Sequence, residues 1–359
     1  MTRIIKEETL TALADAIRSK TGKTETLSLK EMEEEVMKIR TSQDEINSFF
    51  MRTDSEYYND KCTKLADNVF YKHPNLTSVD FPACLEIGAG AFSGCSNLIT
   101  TNFPMATTIG TYAFYTCPNL TTANFPSVTT LGGAAFGYCY NLTTANFPKT
   151  TTLGDAAFYN CSNLTTVSFP VTTTIGYRAF YSCSNLTTVS FPATTTIAFS
   201  AFAYCSNLTT VSFPVCTNIG SYAFAYCFNL TTVSLPVTPT IGSRAFYSCS
   251  NLTTVNFPSV KIVSSCAFGG CSNLTTVTLP AVTTIEDSAF VSCYRLSQLS
   301  LLGSSVCNLT NSNAFSSTPY VGYSNYFSGT PYIYVPSSLI DSYKTATNWT
   351  YFSKYFSAI

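Results

Sequence analysis

The stretch Asn163-Leu164-Thr165-Thr166-Val167-Ser168-Phe169-Pro170, completed by Ile175-Gly176-Tyr177-Arg178-Ala179-Phe180-Tyr181-Ser182-Cys183-Ser184, is one unit of a pattern that recurs ten times between Asn75 and Tyr294. Its asparagine returns at 75, 97, 119, 141, 163, 185, 207, 229, 251 and 273. Its second phenylalanine returns at 92, 114, 136, 158, 180, 202, 224, 246, 268 and 290, a period of 22 residues with no insertion. Leu65 and Phe70 keep the same register, so a half-repeat precedes Asn75. A fixed period of this length means stacked coils, each touching only its neighbours. One such coil has too few apolar side chains to offset the entropy of fixing its own backbone, so contacts between coils must supply the difference.

Within the unit, Leu164 to Phe169 fits the strand pattern L-x-x-L-x-L. Pro170 has no N–H and ends the ladder. Gly176 permits a turn, and Ala179-Phe180 is expected on a short helical turn. At about 4.8 Å per coil, ten coils make a rod or arc about 50 Å long. Its open strand edges need caps.

The strand followed by I-G-x-x-A-F-x-x-C resembles the BspA-type leucine-rich repeat over roughly residues 62–302. The resemblance implies a leucine-rich-repeat solenoid of stacked parallel β-strands with short helical turns. Proteins of that family are largely surface adhesins and interaction proteins, so it also implies a binding role; it does not identify the ligand.

The flanks differ in composition. Residues 1–40 carry eight basic and eight acidic side chains, whereas Asn75 to Tyr294 carries only nine charges. The predicted organisation is a helical attachment or capping segment (1–41), a linker and N-terminal cap (42–61), the solenoid (62–302, with full repeats over 75–294) and a C-terminal capping region (303–359). Leu10, Leu13, Ala14 and Ile17 form one apolar stripe, and Ser28 with Glu31 makes a capping box for a second helix. This pair is either a hairpin packed on the first coil or a docking module. Residues 14–22 with Leu29-Lys30-Glu31-Met32 resemble a short N-terminal module of tail proteins from phages of Gram-positive gut bacteria, which implies attachment to virion tail components. At the other end, Tyr332 to Val335 reads as a last strand, with Ser337 placed to cap a following helix.

Several function classes are disfavoured. The net charge is −1 and only 11% of residues are charged, so the clustered Lys/Arg surface of a nucleic-acid binder is missing. No apolar run approaches the roughly 18 residues of a membrane span, so no membrane insertion is expected. Met1 to Lys6 lacks the apolar core of a secretory signal. The one histidine, His73, occupies the position of Cys95, Cys117 and Cys139 in later repeats and reads as a substituted core residue. Ten of the 15 cysteines, Cys95 to Cys293, form one column. Successive thiols in a column point the same way, so they read as buried, reduced and free of metal, which suits folding in a reducing cytoplasm. Cys62, Cys84, Cys216, Cys266 and Cys307 lie off it and include the candidates for an exposed thiol. Carboxylates are too sparse for a glycosidase pair, with Glu286 and Asp287 side by side near the last repeat. The N-x-T sequons fall on the Asn column, expected to be stacked amides that satisfy backbone groups rather than glycosylation sites. No catalytic residue, cofactor or metal is expected.

Comparing repeats separates a constant frame from a variable set. The two residues after the Gly column and the two after the second Phe change in almost every unit. They include ten tyrosines (Tyr112, Tyr115, Tyr138, Tyr159, Tyr177, Tyr181, Tyr204, Tyr222, Tyr226 and Tyr247) together with Arg178 and Arg244. Tyr140, Phe228 and Tyr294 flank them. Tyrosine among Ser, Ala and Gly is the chemistry of antibody paratopes: large contact area, little rotamer entropy and a hydroxyl. The alternative is that these rings merely cover the turn surface, but packing alone does not require them to differ between repeats. The Thr-Thr columns, by contrast, are accounted for by the preference of strands for β-branched residues. The expected function is receptor binding or adhesion on a phage tail or other extracellular surface, with a bacterial surface protein or glycan as ligand. A bacterial surface adhesin and a purely structural spacer are the competing readings. Confinement of change to four columns also raises deliberate diversification at the DNA level, which codons would test.

Overall fold

The structure, a computed structural model, describes residues 55–322 and 329–359. The helices expected within 1–41 lie outside the described residues. Each coil contains two short strands joined by turns. In the central coil these are β11 (Thr166–Ser168) and β12 (Thr174–Ile175). The shorter strands stack into one parallel sheet of twelve, running from β2 (Lys64–Leu65) to β24 (Asn308–Leu309). Register steps by one repeat: Leu153 pairs with Ile175, and Ile175 with Ile197. The longer strands form shorter parallel sheets, in which Thr166 pairs with Thr144. This is the leucine-rich-repeat solenoid that the period predicts.

The third side of the coil carries no helix. Residues 177–182 form successive turns, with Ala179 N donating to Gly176 O and Tyr181 N to Arg178 O. The intervening amides point to the next coil: Arg178 N donates to Phe199 O at 3.0 Å, Phe180 N to Ala201 O at 2.8 Å and Ser182 N to Ala203 O at 2.9 Å. The helical turn expected at Ala179-Phe180 is therefore replaced by a ladder of turns. A helix would need every residue right-handed, and Arg178 (φ 52°) and Ser182 (φ 58°) are left-handed.

Two phenylalanine columns fill the interior. Phe180 stacks on Phe158 at 5.4 Å and Phe202 at 5.1 Å, while Phe169 meets Phe180 edge-on at 6.0 Å. The stack runs past the repeats at both ends. Phe70 stacks on Phe92 at 5.1 Å, and β1 (Glu56–Tyr58) pairs with β3 (Ser78–Asp80). Beyond residue 302, β24 joins the long sheet and Phe315 stacks on Phe290 at 5.6 Å.

The last coil is covered by the C-terminal residues. β25 (Tyr332–Val335) adds to β23 (Gln298–Ser300), and β26 (Phe356–Ala358) adds to β25. Buried Trp349 donates from Nε1 to Cys307 O at 2.7 Å, and Cys307 N donates to the Tyr343 hydroxyl at 2.9 Å. Ser337 does not cap the helix as expected. It opens a 3-10 turn (Ser337–Leu339) that runs straight into α1 (Ile340–Thr345), whose first turn has no side-chain cap.

All fifteen cysteines are free thiols, and only Cys266 is partly exposed. Each column thiol donates to the carbonyl of a phenylalanine 25 residues earlier: Cys139 to Phe114 O at 3.1 Å, Cys161 to Phe136 O at 3.0 Å. His73 is buried in that column, 6.2 Å from the ring of Phe70.

Burial pushes the Cys139 and Cys271 thiols up from 9.0 to about 12. A raised thiol stays protonated in the fold while the unfolded chain ionises, so its stabilising contribution is complete below pH 9 and disappears as pH rises from 9 towards 12. Urea midpoints should therefore be flat through neutrality and fall steeply above about pH 9. A thiol reagent at pH 8 should label Cys266 ahead of the column.

Candidate binding face

On the ladder of turns, the frame residues Ala179 and Phe180 point inward and are fully buried, as are their equivalents in every repeat. The four variable columns surround that pair. None of the ten tyrosines is buried: Tyr112, Tyr177 and Tyr204 are exposed at 51%, 40% and 39%, and the other seven are half-buried. The rings are neither sealed inside nor scattered around the coil.

Seven of the tyrosines form a continuous ladder, one ring per coil. From Tyr115 the spacings are 5.4 Å to Tyr138, 5.3 Å to Tyr159, 5.0 Å to Tyr181, 5.2 Å to Tyr204, 4.5 Å to Tyr226 and 5.6 Å to Tyr247. The ladder draws on both columns after the second Phe, so when one lacks a tyrosine the other supplies it. A shorter row lies beside it: Tyr177, Phe199 and Tyr222 at 5.4 Å spacings, extended by Arg244, whose Nη1 donates to the Tyr222 hydroxyl at 2.7 Å. Tyr112 meets Tyr115 edge-on at 5.2 Å, and the Arg178 guanidinium lies between the rows, 4.9 Å from the Tyr177 ring and 5.3 Å from that of Tyr181. The structure thus brings all twelve candidate residues together. Tyr140 and Phe228 extend the flank, 6.0 Å from Tyr138 and 6.1 Å from Tyr226. Sequence reasoning missed Phe199. It sits in a variable column and is exposed, and a search for any aromatic rather than tyrosine would have found it.

Two of the four columns are left-handed in every repeat. Seven of the twelve candidates occupy them, with φ of 59° at Tyr112, 61° at Tyr138, 52° at Arg178, 63° at Tyr204, 58° at Tyr222, 62° at Tyr226 and 55° at Arg244. A residue with a Cβ loses about 1 kcal/mol or more there relative to glycine. Yet glycine stands in these columns only at Gly90, Gly94 and Gly270. Stability alone would favour glycine or asparagine at these positions.

Partial burial first, then neighbouring phenols, hold Tyr115 and Tyr226 above the ordinary tyrosine value. Tyr159 and Tyr181 are raised in the same way, with the Arg178 charge opposing. These hydroxyls remain protonated at neutral pH and can both donate and accept. The face offers flat apolar area, neutral hydroxyls and two cations. Among the described residues, no group of three or more His, Cys, Asp or Glu side chains could hold a metal ion.

The neighbouring exposed columns use their donors within the stack. From Asn141 to Asn251 each amide Nδ2 donates to the Oδ1 one coil earlier at 3.1–3.3 Å. The asparagines were expected to be stacked amides that satisfy the backbone; Asn97 and Asn119 donate to main-chain carbonyls, those of Pro74 and Ser96, while Asn141 to Asn251 bond amide to amide. Thr143 and Thr165 hydroxyls donate to the carbonyls of Thr121 and Thr143.

A model of the BspA type leucine rich repeat region (6 copies) matches residues 63–174, 129–240 and 217–334. A solved leucine-rich repeat protein from Bacteroides ovatus is 23% identical, with 83% of this chain and 87% of that one covered and a TM-score of 0.53; this likeness is one of fold. A leucine rich cell surface protein from Faecalibacterium prausnitzii is 23% identical, with 70% and 88% covered and a TM-score of 0.37. The pneumococcal vaccine antigen PcpA is 18% identical, with 83% and 70% covered and a TM-score of 0.42. No curated protein matches the chain.

Relief of the backbone strain is measurable away from the rings. Ala156 is left-handed (φ 55°) and adds no aromatic contact. Ala156→Gly should raise stability by about 1 kcal/mol in urea denaturation. A loss of stability would show that this column carries no strain.

Proposed function

We propose that this chain, which belongs to the BspA-type leucine-rich-repeat family, is a non-enzymatic binding protein that recognises a bacterial surface protein or glycan through its tyrosine stripe. The observation that carries this reading is the coincidence of variation with strain. Tyrosine and arginine recur at left-handed positions where glycine is favoured, and the same columns vary while the frame beside them stays constant. A covering role for the rings would select neither the variation nor the strain.

The resemblance of residues 14–22 with Leu29-Lys30-Glu31-Met32 to a phage tail module favours the finer reading, a receptor-binding or adhesion protein of a phage tail, attached through residues 1–41 with the solenoid outward. An adhesin on a bacterial surface would use the same face. A spacer would not use it at all.

Tyr177, Tyr181 and Tyr204 lie at the middle of the stripe and outside the phenylalanine core. Replacing all three with Ala should reduce adhesion to bacterial envelopes by at least about tenfold, since central aromatic anchors each contribute about 2 kcal/mol. Circular dichroism should still report the folded solenoid. Unchanged adhesion by the folded variant would remove the stripe from the binding function and leave the spacer reading.

A further inference from the structure

We propose that the stripe takes a linear anionic polysaccharide laid along the solenoid axis, with acidic groups held at Arg178 and Arg244. The proposal rests on the stripe being the binding face and names the class of ligand it fits.

The two guanidiniums are positioned but not neutralised. Arg178 lies against the rings of Tyr177 and Tyr181, and Arg244 is 5.4 Å from the ring of Tyr222 and bonded to its hydroxyl. Arg244 is exposed and Arg178 half-buried, and a guanidinium carries the N–H groups that grip a carboxylate, sulfate or phosphate. Neither arginine forms an ion pair: among the described residues the ion pairs are Lys64–Glu86 and Lys344–Asp341. Asp155, one coil earlier, directs its Oδ1 to the Tyr177 N–H at 2.8 Å.

The period of the ladder selects a polysaccharide over a peptide. Rings recur every 4.5–5.6 Å across seven coils. An extended peptide advances about 3.3 Å per residue and falls out of step with such a row within a few residues. A pyranose unit of a linear polymer advances by close to one coil, so one sugar can meet one tyrosine repeatedly. Tyr159 and Tyr181 stack with their planes 1° apart, so along that part of the row rings cover one another's faces and leave edges and protonated hydroxyls for the ligand, groups that pair with sugar hydroxyls. Arg178 and Arg244 are three coils apart, about 14 Å along the axis, which fits a polymer that carries an acidic group on every sugar or on every third one.

Binding of the full chain to polygalacturonate and alginate, which carry a carboxylate on every sugar, should be compared with binding to methyl-esterified polygalacturonate and to polyglutamate. The expected result is salt-sensitive binding to at least one acidic polysaccharide, little to the ester or polyglutamate, and a loss of about tenfold or more in the double variant Arg178→Gln/Arg244→Gln. The ester comparison needs no variant and stands whatever the double variant does to folding. Failure to bind both acidic polymers, equal binding of polyglutamate, or full affinity in a folded double variant overturns the proposal. If envelope adhesion still depends on Tyr177, Tyr181 and Tyr204 while these polymers do not bind, the ligand class is wrong and the binding role stands. If adhesion is independent of those tyrosines as well, the binding face itself is wrong.

Discussion

Each coil gives its backbone amides in two directions. Thr173 N donates to Thr151 O of the coil before, whereas Phe147 N beside the longer strands donates to Ser168 O, and Phe180 N on the turn face to Ala201 O, of the coil after. A coil in the middle of the stack is therefore satisfied only between two neighbours, and a terminal coil leaves polar groups that something else must meet. The C-terminal residues show the remedy: β25 and β26 continue the strands, and Trp349 and Tyr343 hydrogen-bond to the backbone of Cys307. Extra residues are accommodated only where they loop out before a strand, as at the last coil, where Ile285 pairs with Leu309 24 residues later and Phe290 N still reaches Ala314 O.

This arrangement separates the residues that hold the fold from those that are free to vary. On the turn face, cohesion comes from main-chain bonds and from the inward Ala and Phe columns, so the four outward columns can change without disturbing either. The exchange is not free of constraint. Two of those columns are left-handed, and the rings and guanidiniums placed there are held against the preference of their own backbone, with stacking along the row as partial compensation.

Much of this was legible in the sequence. The asparagine and phenylalanine columns gave the period, the period gave the coil, and the placement of the tyrosines on one flank followed from identical coils piling up in register. The turn face was less legible because the spacing of Ala179, Phe180 and Cys183 is equally that of one helical turn. The left-handed positions were hidden for a different reason. Glycine or asparagine normally marks them, and here Tyr, Arg, Ser and Ala fill most of them. Ser337 before an apolar run looks like a helix start, yet the chain makes a 3-10 turn first and enters the helix at Ile340. Phe199 was overlooked because chemistry was assigned by residue name rather than by slot.

Because every coil meets its neighbours through the same frame, removing or adding one whole unit rejoins surfaces that already match. Recombination between the near-identical repeats of the gene can thus lengthen or shorten the solenoid without a new interface having to evolve. Any such event between Arg178 and Arg244 would move the two cations apart or together by one coil, leaving the fold intact while resetting the distance between two positive charges on the turn face.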